Sequence, residues 1–537
     1  MIQFVLVLIS FFGVAMAQNA WIGWLGPFAA AAGYALFWQA VSGTSPKQRF
    51  WTGFVWFFSV QAFQLSWMAT TEYMGLGIIA VYLALAIGLG IQFGFLSWLI
   101  GPLQSLSILR CLALAGIWVL LEWIRLYVCT GFTWNPVGLA LAACPYSLQT
   151  ASLFGIFGLS FWVIFVNLVG LKAYFLRSFP VYAGWALCAV APYVFGIIQY
   201  STTAQDNRSL SVLLVQTALV PEQRDYDPKF PDRFIDPLEQ WDRILGIIEN
   251  TKAQNVDLIV LPEGAVPFNA YQCAYPLVDV ERVWTDHFGL VSDNDFPTSG
   301  KEADYKGSLK RVSNAFWARA LANHFQCDVV MGMNDWEPDS GKHFNAAFHF
   351  SPRGESASRV EKRILVPVGE YVPFKNWDWV AQFLSKQFGI GDSFDPGNEA
   401  KVFSGRVLMG VSICYEETFS EVIRHLRMNN AQLFINISND VWFPHSRLAK
   451  QHFNHGVVRV VENGVPLIRA CNTGITCGVD CFGNVLAQYP EDQAGALVLE
   501  VPLRSFRTLY SIIGDRAILI LSAFFALCSF KMLARNK

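Results

Sequence analysis

Gly410-Val-Ser-Ile-Cys414-Tyr-Glu416-Glu417 carries a short apolar run into an acidic turn and sets a thiol at the junction. The run Arg406–Cys414 has the length and composition of a buried strand. Glu417–Met428 repeats its apolar residues at three- and four-residue steps, which predicts a helix directly after it. A thiol at such a junction meets the positive end of the helix, and an ammonium nearby would favour thiolate further. Two other segments place reactive side chains in the same way. Leu258-Ile-Val-Leu-Pro-Glu263-Gly264 holds a carboxylate after a strand and a proline, in partly apolar surroundings that raise its basicity. Val360-Glu-Lys362-Arg363 leads into Val366-Pro-Val-Gly-Glu370-Tyr-Val-Pro, so a lysine and a second glutamate follow another strand.

Outward from these segments the same alternation continues. Ser211–Gln216, Asp257–Leu261, Asp328–Met333, Gln432–Ile437 and Pro466–Ala470 read as further buried strands. Leu238, Trp241, Leu245 and Ile248 line one face of a helix, and Ala318–Phe325 and Arg447–Asn463 look similar. Strands alternating with helices predict an α/β layer structure. Asp279–Lys306 is polar and reads as an irregular surface insertion, and no internal repeat is evident.

The first 200 residues have another composition. They hold eight charged residues (Lys47, Arg49, Glu72, Arg110, Glu122, Arg125, Lys172 and Arg177), against 39 basic and 41 acidic residues in the 537-residue chain. Apolar stretches at 1–17, 20–41, 51–70, 76–100, 108–128, 151–171, 180–199 and 512–530 are each close to the roughly 20 residues a membrane-crossing helix needs. Ala15-Met16-Ala17 imitates a signal-peptidase site, but the start lacks basic residues and another apolar stretch follows, so a retained helix is expected. Lys47 and Arg49, Arg110, Lys172 and Arg177, and Lys531, Arg535 and Lys537 all fall on one side of the predicted spans, which makes that side cytoplasmic. The predicted organisation is 1–200 with seven membrane helices, an exported domain at 201–508, and an eighth helix with a cytoplasmic tail at 509–537. A net charge of −2 excludes a basic field for nucleic acid.

Each reactive residue alone has a plain reading: Cys414 as an inert strand cysteine, Lys362 as a surface charge, Glu263 as a capping carboxylate. Glu, Lys and Cys in that order, each at a strand end, together resemble the nitrilase superfamily. Val366-Pro-Val-Gly-Glu-Tyr-Val-Pro, Ile413-Cys-Tyr-Glu, Ile437-Ser-Asn-Asp-Val-Trp-Phe, Cys471-Asn-Thr-Gly-Ile-Thr, Gln451-His-Phe and the stretch from Glu122-Trp-Ile-Arg125 to Gly131-Phe-Thr-Trp134-Asn resemble the apolipoprotein N-acyltransferase family within it. The resemblance implies a membrane α-helical bundle of about eight transmembrane helices plus an exported α/β nitrilase-like αββα sandwich, in a bacterial inner membrane. It implies Glu263 as general base, Lys362 as partner of the oxyanion and Cys414 as nucleophile. Glu370, Glu416 and Asn345 match family residues near the triad, while Tyr415, Asn439 and Trp442 are expected to shape the pocket. The reaction implied is acyl transfer from a phospholipid to the amino group of a diacylglyceryl-cysteine apolipoprotein through a cysteine thioester. No cofactor, metal or nucleic acid is implied, and a monomer is expected.

Val372-Pro-Phe-Lys-Asn-Trp377-Asp-Trp379-Val-Ala-Gln-Phe383-Leu384 mixes tryptophans with apolar and charged residues, as an arm touching the outer leaflet would. Its alternative is an ordinary buried helix. Glu122 and Arg125, spaced i and i+3, predict an ion pair or a headgroup contact. Gly88-Leu-Gly-Ile-Gln-Phe-Gly lies within a span and is no nucleotide loop. Cys471, Cys477 and Cys481 lack a CxxC pair, and His452 and His455 lack an evident carboxylate partner, so both groups read as structural. Two other functions stay open from the residues alone: a membrane-tethered amidase or hydrolase, and a non-catalytic scaffold.

Overall fold

The computed structural model describes residues 1–101, 106–203, 208–292, 295–297, 303–304, 310–354, 356–374, 376–388 and 393–535. The chain divides into two compact units, one of 1–204, 445–464 and 506–537 and the other of 205–444 and 465–505.

The first unit is helical, and helix occupies most of each of the eight apolar stretches. Gly77–Leu99, Ala151–Leu176 and Phe179–Thr202 are long and apolar enough to cross a membrane, while Ile2–Ala15 and Arg516–Cys528 are shorter apolar helices. Pro46–Gln64 starts sharply: Pro46 needs no N–H partner there, and Ser45 and Gln48 cap each other's backbone. This helix packs closely on Gly77–Leu99, since a Cβ on Gly94 would lie 2.8 Å from the Phe50 carbonyl oxygen. Glu122 and Arg125 are buried 3.6 Å apart, and Glu122 also accepts hydrogen bonds from Trp118 Nε1 (2.8 Å) and the Val137 N–H (2.9 Å). They form a framework pair between helix and loop.

The second stretch is irregular. A 3-10 turn at Gly23–Leu25 and a π turn at Ala29–Gly33 precede the α-helix Tyr34–Ala40. A π turn displaces backbone groups from their usual partners, and a hydrocarbon layer has no water to replace them. Buried Asn167 supplies the replacements: its Oδ1 accepts from the Tyr34 and Ala35 N–H groups, both at 2.9 Å, and its Nδ2 donates to the Ala29 and Ala30 carbonyls.

His445–Gly464 also belongs to this unit. In its helix, Leu448–Asn463, Gln451 donates to the Gln64 carbonyl (2.7 Å) and accepts from Trp67 Nε1 (3.0 Å). Glu462 accepts from the Ile156 N–H (2.8 Å), just past the break at Phe154 and Gly155 in Ala151–Leu176. His452 and His455 pack beside Trp134, and burial, with Arg459 and His452, holds the His455 imidazole far below its ordinary pKa, hence neutral.

The second unit stacks two six-stranded sheets. The strands are β1 (Ser209–Gln216), β2 (Leu258–Leu261), β3 (Asp328–Glu337), β4 (Lys342–Phe350), β5 (Ser358–Glu361), β6 (Val402–Ser404), β7 (Leu408–Ile413), β8 (Leu433–Ser438), β9 (Leu467–Cys471), β10 (Cys477–Val479), β11 (Val485–Gln488) and β12 (Gly495–Pro502). One sheet has the order β12-β1-β2-β3-β4-β5 and the other β11-β10-β9-β8-β7-β6. The central strands β1, β2 and β3, and likewise β7, β8 and β9, are parallel, which explains their continuous apolar runs. Between the sheets lie Val212, Leu214, Val260 and Val330 from one side and Val411, Ile413, Ile435 and Ile437 from the other. The alternate residues Leu213, Ile259 and Val329 face outward onto Trp241, Leu245 and Trp317 of the helices Pro237–Asn250 and Asn314–Phe325. On the other outer face, Gly410 meets Leu426 of the helix Ser420–Met428. The expected α/β sandwich is present.

The insertion differs from its reading. Leu277–Phe288 is a regular helix that buries Val280, Val283 and Trp284, so an i, i+3, i+4 apolar stripe lies hidden among its charges. Residues 293–294, 298–302 and 305–306 of the insertion lie outside the described residues. Strand β4 also escapes a reading from apolar runs, because it carries His343, Asn345 and His349.

Replacing Asn167 with leucine keeps the branched heavy-atom skeleton but orphans two N–H groups and two carbonyls, each costing about 1–3 kcal/mol when buried. N167L should lower the thermal unfolding midpoint of the detergent-solubilised chain clearly, whereas I91A on the exposed face of Gly77–Leu99 should scarcely move it.

Candidate active site

The site grows from four strand ends of the second unit. Glu263 follows β2 and Pro262. The neighbouring strand crosses so closely that a Cβ on Gly332 would lie 2.6 Å from the Glu263 Cα, so only glycine fits there. Asn345, on β4, donates from Nδ2 to Glu263 Oε1 (2.7 Å) and to Glu370 Oε1 (2.9 Å). Lys362 leaves β5 with its N–H on the Asn345 carbonyl (2.8 Å). Its side chain is 1% exposed, and Nζ lies 3.1 Å from Glu263 Oε1 and 2.7 Å from Glu370 Oε1. Glu370 is held by a tight turn in which its Oε2 accepts from the Val366 N–H (2.8 Å).

Cys414 ends β7 with φ at +51°, in the left-handed region that a side chain seldom adopts. Two groups stabilise that corner. Asn436 Nδ2 on β8 donates to the Cys414 carbonyl (3.3 Å) and to Ser412 Oγ (3.1 Å). Buried Glu416 accepts from the Ile413 N–H (2.9 Å) and from the Arg363 and Ile364 N–H groups (2.6 and 3.2 Å). It thereby ties the thiol's turn to the residues beside Lys362.

The electrostatics depart from the sequence reading. Burial alone would favour a neutral Lys362 amine, but Glu263, Glu370 and Cys414 outweigh it and hold the ammonium well above its ordinary pKa. The Cys414 residue keeps a partial opening to the surface, yet its thiol is desolvated. Burial and then Glu263 push its pKa well above the ordinary value; Lys362 opposes them, and Asp440 and Glu370 add to them. The proton is thus held more tightly than on a free thiol, the opposite direction to that expected from a helix end. The turn after Cys414 is only the five-residue 3-10 segment Cys414–Thr418, too short to present a full helix dipole. With two carboxylates against one ammonium, an added sulfur anion would face net negative charge.

Among the other expected residues, Asn439 is buried and its Oδ1 accepts from Asn472 Nδ2 (3.0 Å). Tyr415 is half-buried, edge-on to Phe419, and Trp442 is exposed. Phe374, Trp377, Trp379 and Phe383 are 56%, 60%, 75% and 62% exposed, which overturns the buried-helix alternative for the arm. Its helix is Asp378–Phe388, and Lys375 lies outside the described residues. No group of three His, Cys, Asp or Glu among the described residues is placed to hold a metal. The sequence reading missed Asn436, Asp440 and Arg469. A charge inside the apolar run Pro466–Ala470 was a signal for the last.

Residues 225–510 match the carbon-nitrogen hydrolase family model, and residues 4–169 match that of the apolipoprotein N-acyltransferase N-terminal domain. The chain is 31% identical to the apolipoprotein N-acyltransferase of Chlamydia pneumoniae, over 97% of this chain and 96% of the relative. It is 28% identical to that of Geobacter metallireducens, over 95% and 90%. A solved structure of Saccharomyces cerevisiae Nit3, of the nitrilase superfamily, matches at 17% identity and a TM-score of 0.36, covering 58% of this chain and 96% of that one. The chain belongs to the apolipoprotein N-acyltransferase family, whose catalytic half is a carbon-nitrogen hydrolase domain.

Proposed function

We propose that Cys414, Glu263 and Lys362 transfer an acyl chain from a phospholipid to the N-terminal amine of a diacylglyceryl-cysteine lipoprotein in two half-reactions. The observation that carries this reading is the Lys362 ammonium held between Glu263 and Glu370 and coupled to the Cys414 thiol. Because the thiol rests protonated, Glu263 takes its proton as the sulfur attacks the ester carbonyl. That movement leaves the net charge of the cluster unchanged. The ester oxygen becomes an oxyanion beside Lys362. Collapse breaks the C–O bond, and Glu263 returns the proton to the leaving lysophospholipid alkoxide. The lipoprotein amine then attacks the thioester, Glu263 accepts its proton, and collapse forms the amide and expels the sulfur, which regains the proton. Asn345 and Glu370 hold Glu263 and Lys362 in place, Glu416 and Asn439 support the loops, and Tyr415 and Trp442 line the approach.

Both substrates are anchored in a bilayer, so the site needs a membrane contact. The exposed aromatics of residues 372–384 support one, since tryptophan and phenylalanine partition into the interface. The distribution of basic residues supports eight crossings with the catalytic half on the periplasmic side, joined to the membrane part near residues 200 and 509.

Three outcomes are expected. C414A should abolish both transfer and labelling by an alkyne-bearing acyl phospholipid, while E263Q keeps slow transfer that rises with pH between 7 and 9, as thiolate forms without its base. Mass spectrometry of lipoprotein N-termini distinguishes this from hydrolysis, which would release free fatty acid, and from a scaffold, which would do neither. Activity surviving in C414A overturns the assignment. W377S/W379S should lose at least about tenfold on vesicle substrates yet retain thioester formation with a short, water-soluble acyl ester; equal losses on both would overturn the arm's role.

A further inference from the structure

Beneath the site lies a second buried cation. Arg469 on β9 is 0% exposed, an unusual place for a guanidinium in the middle of an apolar strand. Its Nη1 lies 2.8 Å from Glu417 Oε1, three residues past the nucleophile, and its Nη2 lies 3.9 Å from Asp440 Oδ2, one residue past Asn439. Cys471 on the same strand (3.9 Å from Nη2) and Cys477 on β10 are its other titratable neighbours. The sulfur of Cys414 is influenced by Glu263, Lys362, Asp440 and Glu370. Lys362 accounts for Glu263 and Glu370. Asp440 lies two residues past the end of β8, which pairs with β7 up to the residue before Cys414, and Arg469 is the cation at its side.

We infer that Arg469, anchored by Glu417, is a positioning residue that compensates Asp440, so that this acid does not oppose the sulfur anion formed when Glu263 takes the thiol proton. The inference rests on Cys414 being the nucleophile, but its test reads the sulfur directly. A charge removed here leaves a buried acid that stays protonated at low pH and ionises as pH rises, each such ionisation disfavouring the thiolate. A merely displaced thiol would instead react more slowly by the same factor at every pH.

The experiment is iodoacetamide alkylation of Cys414 in the detergent-solubilised full chain, followed by peptide mass spectrometry from pH 6 to 9. R469M/E417Q replaces the buried ion pair whole and leaves Asp440 alone. Its alkylation should fall progressively behind the wild type as pH rises, reaching about tenfold or more at pH 9. Adding D440N should remove that pH dependence, and R469K, which keeps the charge, should follow the wild-type profile. A lag equal at all pH values, no lag, a lag persisting with D440N, or the same lag in R469K would each overturn the role. Failure of the nucleophile assignment shows elsewhere, as acyl transfer surviving C414A.

Discussion

The Lys362 ammonium between the Glu263 and Glu370 carboxylates is the interaction on which the catalytic half depends. Three charges with almost no exposure to water persist only because each is hydrogen-bonded to the others or to Asn345. Removing one partner would leave an uncompensated buried charge, a loss on the order of 3–5 kcal/mol. The same arrangement, with burial, raises the pKa of the Cys414 thiol. The group is already net negative, so a proton can leave sulfur only by moving to another member of it.

Backbone architecture delivers these groups to one place. The C-terminal ends of parallel strands β2 and β7 present Glu263 and Cys414, while the antiparallel pairing of β4 with β5 sets Asn345 and Lys362 side by side against the first. Glu416 closes the ring by accepting N–H groups from both the Cys414 and the Lys362 segments. A side chain of conventional catalytic type is here a structural brace, and its three donors explain how a left-handed Cys414 is tolerated.

Much of this was legible in the sequence because it was local. Strand β2 and the glutamate after it, or β7 and the cysteine after it, are adjacent in the chain, so apolar runs located them to within a few residues. The helix Leu277–Phe288 was misread because charge counts obscure a narrow apolar stripe. The protonation state of Cys414 was misread for a different reason. It depends on a balance among Glu263, Glu370, Lys362 and Asp440, which lie far apart in sequence, and on desolvation that only packing creates. Asn167 belongs to the same class: nothing near it announces that it will mend a π turn more than 130 residues away.

The helix Leu448–Asn463 is inserted between strands of one unit and packs within the other. By connectivity it is the crossover between parallel strands β8 and β9 of the catalytic sandwich, yet its side chains complete the helical unit. Glu462 provides the hydrogen bond that restarts a helix after Gly155, and Gln451 closes the end of Pro46–Gln64. The apolar helices therefore do not complete their backbone hydrogen bonding without this insertion. A soluble relative of the sandwich fused to a generic anchor would lack these contacts, and so the helical half is a built part of the enzyme and not merely its attachment.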